Sequence, residues 1–168
     1  MQSLNPQSTV KVAGHPVHPM LVPFPIAFLV ATLFCDLAFW LSGKPSWTTA
    51  AMWLLGAAIV MAALAALAGL TDFLGDAWIR ALNAAWLHLG GNAVAVVLSV
   101  INFYLRYQQG AATAALPWGL AISSVVVLLL LVTGWQGGEM VYHHRVGVAD
   151  EAETARSAPS ASGPRPAI

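Results

Sequence analysis

The chain alternates between long runs of apolar residues and short polar breaks, and this pattern predicts four membrane-spanning helices. The apolar segments extend over about 20–42, 49–74, 84–106 and 117–141. A helix needs about twenty apolar residues to cross roughly 30 Å of hydrocarbon, and each segment reaches that length. The pattern therefore predicts an all-α fold, an integral membrane four-helix transmembrane bundle over residues 15–148.

Polar sequence flanks the predicted bundle on both sides. Residues 1–14 form an N-terminal polar segment that lacks the short apolar core of a secretory signal, so we expect it to be retained. Residues 149–168 are rich in Ala, Ser and Pro and show no apolar period, which predicts a disordered tail. Because the number of spans is even, both termini should emerge on the same membrane face.

Composition agrees with a lipid environment. Apolar residues make up 58% of the 168 positions and charged residues only 8%, with a mean hydropathy of +0.72. A soluble domain carries about 25% charged residues, so this chain has too few to cover a water-facing surface. The net charge of zero gives no reason to expect a nucleic-acid partner. The single Cys35 rules out an intrachain disulfide.

The basic residues near the spans favour one orientation. Lys11, Arg80 and Arg145 fall on the side of the termini, whereas Lys44 and Arg106 fall on the opposite side. Since Lys and Arg concentrate in cytoplasmic loops, we expect a multi-pass protein of the bacterial inner membrane with cytoplasmic termini.

The third span carries a stripe of polar residues on one helix face. His88, Asn92, Ser99, Asn102 and Arg106 follow one another at intervals that keep them on one side of a helix. Lipid penalises such a face, so it should point into the bundle, with the amides and the hydroxyl bonding to neighbouring helices. We expect Arg106 to extend to the membrane face as an interfacial anchor.

Asp36 lies deep in the first span, where an isolated carboxylate is costly. We expect it to take part in a structural hydrogen bond, with proton or cation handling as the alternative.

All five histidines lie at ends of spans that should emerge on one membrane face. They are His15, His18, His88, His143 and His144. Each of the first two precedes a proline, which disfavours the helical region and predicts an extended lead-in to the first span. Imidazole is a common ligand of haem iron and of transition metals, so the shared mouth of the bundle is the candidate functional site.

Two kinds of metal centre and a plain structural role are open for this cluster. A b-type haem would take His88 together with His15, His18 or His143, with Tyr142 and Arg145 near its propionates. A transition-metal ion would instead gather three or four of a set of side chains made up of His15, His18, His88, His143, Asp72 and Glu139. The third alternative is that the histidines only order the membrane boundary.

Four sequence segments carry a resemblance to a known family. They are GHPVHPMLVPFPI at 14–26, GLTDFLG at 69–75, His88 with Asn92, and GWQGGEMVYHHRVGV at 134–148. Together they resemble the bacterial membrane-protein family catalogued as domain of unknown function 2231, over roughly residues 12–149. The resemblance implies a small multi-spanning membrane domain without an assigned activity. Some relatives are joined to Rieske-type iron–sulfur domains, which implies membrane redox chemistry. The matched family positions are His15, His18, Asp36, Asp72, His88 and Gly138.

The motifs of hydrolases and nucleotide-driven pumps are missing from the sequence, since it contains no G-x-S-x-G, H-E-x-x-H or P-loop. The leading hypothesis is a membrane electron carrier that holds b-type haem near the cytoplasmic face. The alternative is a protein that binds or transports a metal ion or protons, with Asn92, Ser99, Asn102 and Asp36 as a polar path. A non-catalytic structural or assembly subunit is the third. Expected partners are the lipid bilayer, a redox partner protein and a second copy of the chain.

Overall fold

Four long helices form an antiparallel bundle in the computed structural model, which describes residues 5–149. The helices that are long and apolar enough to cross a membrane are Val17–Ser42, Pro45–Gly75, Asn83–Gln109 and Ala111–Tyr142. In the most apolar 18-residue window of each, only 22–28% of the residues are buried, so most apolar side chains face outward. Such a surface requires lipid as its solvent, and the predicted membrane bundle is confirmed. The tail predicted over 149–168 lies outside the described residues, apart from Ala149.

Proline and glycine punctuate the helices at the positions where the spans begin and end. The elements are β1 (Lys11–Val12), β2 (His15–Pro16), α1 (Val17–Leu21), α2 (Pro23–Ser42), α3 (Pro45–Gly75), α4 (Ala77–Ala81), α5 (Asn83–Gln109), α6 (Ala111–Ala114) and α7 (Leu120–Tyr142). Proline opens α2 and α3, where its missing N–H costs nothing. Gly43 ends α2 in the left-handed conformation at φ 66°. A wide turn over Ala115–Gly119 joins α6 to α7.

The long helices pack in a ring. Helix α2 lies against α3 and α7, and α5 lies against the same two neighbours, which places α2 and α5 diagonally opposite each other. An apolar layer fills the middle of the bundle; it consists of Leu29, Leu55, Ala58, Ala95 and Val126. Apart from Ser99, whose hydroxyl bonds to the Ala95 carbonyl of its own helix, the polar groups that point inward lie toward the two ends of the bundle.

The N-terminal strap, residues 5–16, folds back over the end of α3. Its strands β1 and β2 pair antiparallel. The Asp72 carboxylate accepts hydrogen bonds from the Ser8 hydroxyl at 3.0 Å and from the amides of Thr9 and Val10 at 2.6 and 3.0 Å. Asp72 is therefore engaged in holding this strap.

The structure corrects one expectation for the lead-in to the first span. His15 lies in β2, as an extended lead-in requires, but His18 lies in helix α1. A helix tolerates proline in its first turn, where the N–H has no partner, so Pro19 does not prevent His18 from being helical.

A buried ion pair joins α2 to α5 at the end of the bundle opposite the strap. The Arg106 Nη2 atom lies 2.8 and 2.7 Å from the two Asp36 carboxylate oxygens, and both side chains are fully buried. The Ser123 hydroxyl donates to Asp36 at 2.8 Å, and Arg106 Nε donates to the Asn102 amide oxygen at 2.9 Å. Gly119 makes room for the guanidinium, because a Cβ there would lie 2.6 Å from Nη2.

The expectation that Arg106 is an interfacial anchor is therefore wrong. An unpaired carboxylate inside the bundle is more costly than a buried guanidinium that neutralises it. Asp36 thus draws Arg106 inward, where a long flexible side chain on its own would extend to the membrane face. The structural role expected for Asp36 takes the form of this ion pair.

Removal of one partner of the pair should destabilise the bundle more than removal of both. Arg106→Leu leaves the Asp36 carboxylate buried without a counter-charge, at a cost of about 3–5 kcal/mol. The Asp36→Leu/Arg106→Leu double variant loses the attraction and the desolvation penalty together, so the free energy of unfolding should fall less. Denaturant unfolding of the monomeric fraction in detergent measures both, with Arg145→Leu, at an exposed position, as the control. A double variant less stable than Arg106→Leu would contradict this account of the pair.

Candidate functional site

Two imidazoles meet in the interior at the strap end of the bundle. His18 projects from α1 and His88 from the second turn of α5. Their ring centres lie 6.1 Å apart, and the ring planes stand at 83° to each other. The two side chains come from diagonally opposite spans, so each approaches the axis of the bundle from its own side.

Each ring is held by a backbone carbonyl of the helix next to it. Nδ1 of His18 lies 2.7 Å from the Ala65 oxygen, and Nδ1 of His88 lies 2.8 Å from the Thr133 oxygen. Since a carbonyl only accepts hydrogen bonds, Nδ1 must carry the proton in both rings. In a neutral imidazole this leaves Nε2 with a lone pair. Within residues 5–149 neither Nε2 has a hydrogen-bond partner, so both are available to a ligand.

Each ring also packs against a glycine on the helix that provides its carbonyl. A Cβ on Gly69 would lie 2.7 Å from Nδ1 of His18, and a Cβ on Gly137 would lie 3.3 Å from Cε1 of His88. Both glycines follow the bonded carbonyl by one helical turn. Each ring therefore packs directly against the backbone of a glycine, which limits how the ring can be oriented.

Asn92 and Thr133 give His88 further support. The Asn92 amide donates to the His88 carbonyl at 2.8 Å, and the Thr133 hydroxyl donates to the Asn92 amide oxygen at 3.3 Å. Thr133 thus makes two contacts: its carbonyl accepts a hydrogen bond from the His88 ring, and its hydroxyl donates one to Asn92. The inward stripe predicted for the third span has this role at its first turns.

The other candidate residues lie at the same end of the bundle but not at this pair. His15 is exposed and bonds to the Ala13 carbonyl at 3.0 Å. Nε2 of His143 lies 3.8 Å from the Glu139 carboxylate, and that imidazole is 72% exposed. Tyr142, His144 and Arg145 are exposed as well. Among the described residues, no group of three or more His, Cys, Asp or Glu side chains comes close enough to hold a metal ion.

The residues that hold the two rings lie beyond what the sequence pattern alone indicates. Gly69, Gly137 and the carbonyls of Ala65 and Thr133 belong to helices other than those of the histidines. Which residue faces a histidine depends on how far one helix slides along the next. Hydropathy and helical period describe one helix at a time and carry no such information.

A family model described as "Predicted membrane protein (DUF2231)" matches residues 14–150, which include the whole bundle and both histidines. No curated protein and no solved structure matches the chain.

An added methyl group at the two glycines should act unequally. Gly69→Ala places a carbon 2.7 Å from Nδ1 of His18, so the ring must move and its bond to Ala65 must weaken. Such overpacking typically costs about 1–3 kcal/mol. Gly137→Ala, at 3.3 Å from the His88 ring, should cost less. Gly90→Ala is the matched control, because a Cβ there meets no atom within 4 Å. The free energy of unfolding is to be measured for all three variants. Equal effects of Gly69→Ala and Gly90→Ala would contradict the proposed packing.

Proposed function

The chain belongs to the DUF2231 family of predicted membrane proteins, and we propose that in this member His18 and His88 ligate the iron of a b-type haem. The protein would then act as an electron carrier within the membrane. The observation that carries the proposal is the pairing of two imidazoles from opposite spans, each with Nδ1 occupied by a carbonyl. A hydrogen bond from Nδ1 to a carbonyl is the usual support of a histidine that binds metal through Nε2.

The separation of the rings supports a shared metal ion. A bond from a metal ion to an imidazole nitrogen is about 2.0–2.1 Å long, so two imidazoles that bind one ion from opposite sides have ring centres roughly 6 Å apart. The centres of His18 and His88 are 6.1 Å apart.

The number of ligands favours haem over a bare ion. A haem would need two protein ligands for its iron, and His18 and His88 would supply them from different helices. A bare transition-metal ion usually takes three or four protein ligands. His18 and His88 supply two, while Asp72 is engaged with the strap and Glu139 lies beside His143. A metal ion bound without haem is the second candidate.

A haem bound here would supply one-electron chemistry, and the protein would supply its position and surroundings. The carbonyls and glycines hold the two rings in place, and the apolar layer around Leu29 and Val126 separates the site from the opposite membrane face. Tyr142, His143 and Arg145 lie exposed at the same end, where they would be available to the propionates or to a redox partner protein. In the proposed orientation this end would face the cytoplasm of a bacterial inner membrane, because Lys and Arg of membrane proteins concentrate on that side.

Transport of a metal ion or of protons has less support from the fold. Ser99 and Asn102 point into the bundle, as a polar path requires. Ser99, however, bonds to the Ala95 carbonyl of its own helix, and the apolar layer lies between His88 and Asp36. The arrangement therefore suits a bound centre at one end better than passage along the axis. Association of two copies of the chain into a homodimer remains a prediction from the sequence.

Absorption spectroscopy tests the proposal directly. Protein purified from haem-replete cells should show a Soret band and a reduced-minus-oxidised difference spectrum with bis-imidazole character. His18→Ala and His88→Ala should each abolish the bis-imidazole spectrum, because each would remove one of the two residues that hold the iron. His15→Ala and His144→Ala are matched controls at exposed positions and should retain it.

A colourless preparation of the native chain would overturn the haem proposal. If elemental analysis of that preparation found stoichiometric zinc or copper that both His18→Ala and His88→Ala remove, the second candidate would replace it. A haem spectrum unaffected by either variant would place the haem elsewhere.

A further inference from the structure

The buried face of α2 is repeated in α5. Asp36 and Arg106 are 70 residues apart along the chain. Adding 70 to the residue number converts four of the five buried positions of α2 into four of the five buried positions of α5, with Cys35 and Ala85 unmatched. The pairs of buried positions are Pro25 and Ala95, Leu29 and Ser99, Thr32 and Asn102, and Asp36 and Arg106. His18 and His88 differ by the same interval. Both helices thus present inward positions at the same spacing from their histidine.

Four buried positions of α3 also have counterparts in α7 and in the turn before it. The separation is 68 residues, the distance along the chain from Ala65 to Thr133. The pairs of buried positions are Ala51 and Gly119, Leu55 and Ser123, Ala58 and Val126, and Ala65 and Thr133. The contacts of the histidines repeat in the same way. His18 bonds to Ala65 and lies against Gly69, and the corresponding residues bond and pack around His88.

The two halves of the bundle are therefore equivalent hairpins. The first hairpin is residues 17–75, with α2 packed on α3, and the second is residues 83–142, with α5 packed on α7. Spans one and three run in the same direction, so a two-fold axis parallel to the helices exchanges the hairpins. Repeats related by an axis along the membrane normal are a known construction of membrane proteins.

Equivalent residues can touch each other only where they lie on that axis. His18 and His88 do so at the strap end. Asp36 and Arg106 do so at the opposite end. At the first contact the two hairpins carry the same side chain, and at the second they carry opposite charges. The ion pair is therefore where the two faces differ most.

We infer that the chain consists of two structurally equivalent hairpins. The Asp36–Arg106 pair makes the first hairpin pack against the second hairpin, and prevents it from packing against the first hairpin of another chain. The first hairpin carries Asp36 on the axis, so it fits a hairpin that carries a cation at the position of Arg106. Packing of like hairpins would place two carboxylates or two guanidinium groups together in the interior, where like charges are strongly unfavourable. Imidazole meets imidazole in either arrangement, so the histidines do not discriminate. This inference is independent of any cofactor.

Charge exchange in the full-length chain tests the inference. Asp36→Arg and Arg106→Asp each create a like-charged pair on the axis, and each should lower the yield of folded monomer by more than about tenfold. The Asp36→Arg/Arg106→Asp double variant is built on Ala51→Gly, so that the new guanidinium has the room that Gly119 gives Arg106. It restores an opposite pair at equivalent positions, so most of the monomer should return. Size-exclusion chromatography in detergent measures the monomer. A double variant no better than the single ones would overturn the inference, as would single variants with native yield.

A cysteine reporter tests the choice of partner. In a Cys35→Ala background, Leu29→Cys introduces one thiol in the central layer of the first hairpin. With native charges an oxidant should yield monomer only, because the second hairpin of the same chain covers that position and brings no second thiol near it. In the Asp36→Leu/Arg106→Leu variant, pairing of first hairpins from two chains should raise the covalent dimer several-fold.

Phe34→Cys in the same two backgrounds is the control. Phe34 is 66% exposed on the lipid-facing side of α2, so its cross-linking should not depend on the charges. If Leu29→Cys gives no more dimer in the neutral variant than with native charges, the ion pair does not choose the partner.

Discussion

Every polar group inside the bundle must be satisfied by another part of the protein, because hydrocarbon offers no water to bond to. The structure meets this constraint mainly by bonds between helices. Among the described residues, Arg106 Nη1 is the buried side-chain nitrogen that lacks a hydrogen-bond partner. Arg106 neutralises Asp36, and Ser123 and Asn102 complete that cluster. The half-buried imidazoles of His18 and His88 each donate to a carbonyl of the neighbouring helix. These bonds set how the four spans align, since a slide of one helix would leave several groups without partners at once.

The same constraint determines which nitrogen of each imidazole carries the proton. A bond from Nδ1 to a carbonyl satisfies one ring nitrogen and leaves the other as a lone-pair donor. His18 and His88 both have this arrangement, and they face each other at one end of the axis. The apolar layer below them closes the interior, while the strap end lies close to the membrane surface. A centre held there would be shielded from lipid yet close to a partner in water, as electron transfer into or out of a membrane requires.

Much of this arrangement could be predicted from the sequence. Hydropathy indicates the four spans, and the spacing of His88, Ser99 and Asn102 predicts an inward face, which the burial of the latter two confirms. Those arguments concern one helix at a time. The position of Arg106 could not be predicted in this way, because it depends on a carboxylate in another span. The glycines that pack against the rings and the equivalence of the two hairpins could not be predicted either, because both depend on contacts between helices. Equivalent positions carry residues as different as Leu29 and Ser99, and only the packed structure shows that they correspond.

The protonation of the two imidazoles is the most direct measure of whether this arrangement exists. Nitrogen-15 NMR of cofactor-free protein, labelled at histidine and kept in mildly alkaline buffer, distinguishes the two nitrogens of each ring. His18→Asn and His88→Asn variants assign the signals. The structure predicts that both rings carry their proton on Nδ1, with Nε2 unprotonated and available to a metal. A proton on Nε2 in either ring would contradict the carbonyl bonds on which the paired site depends.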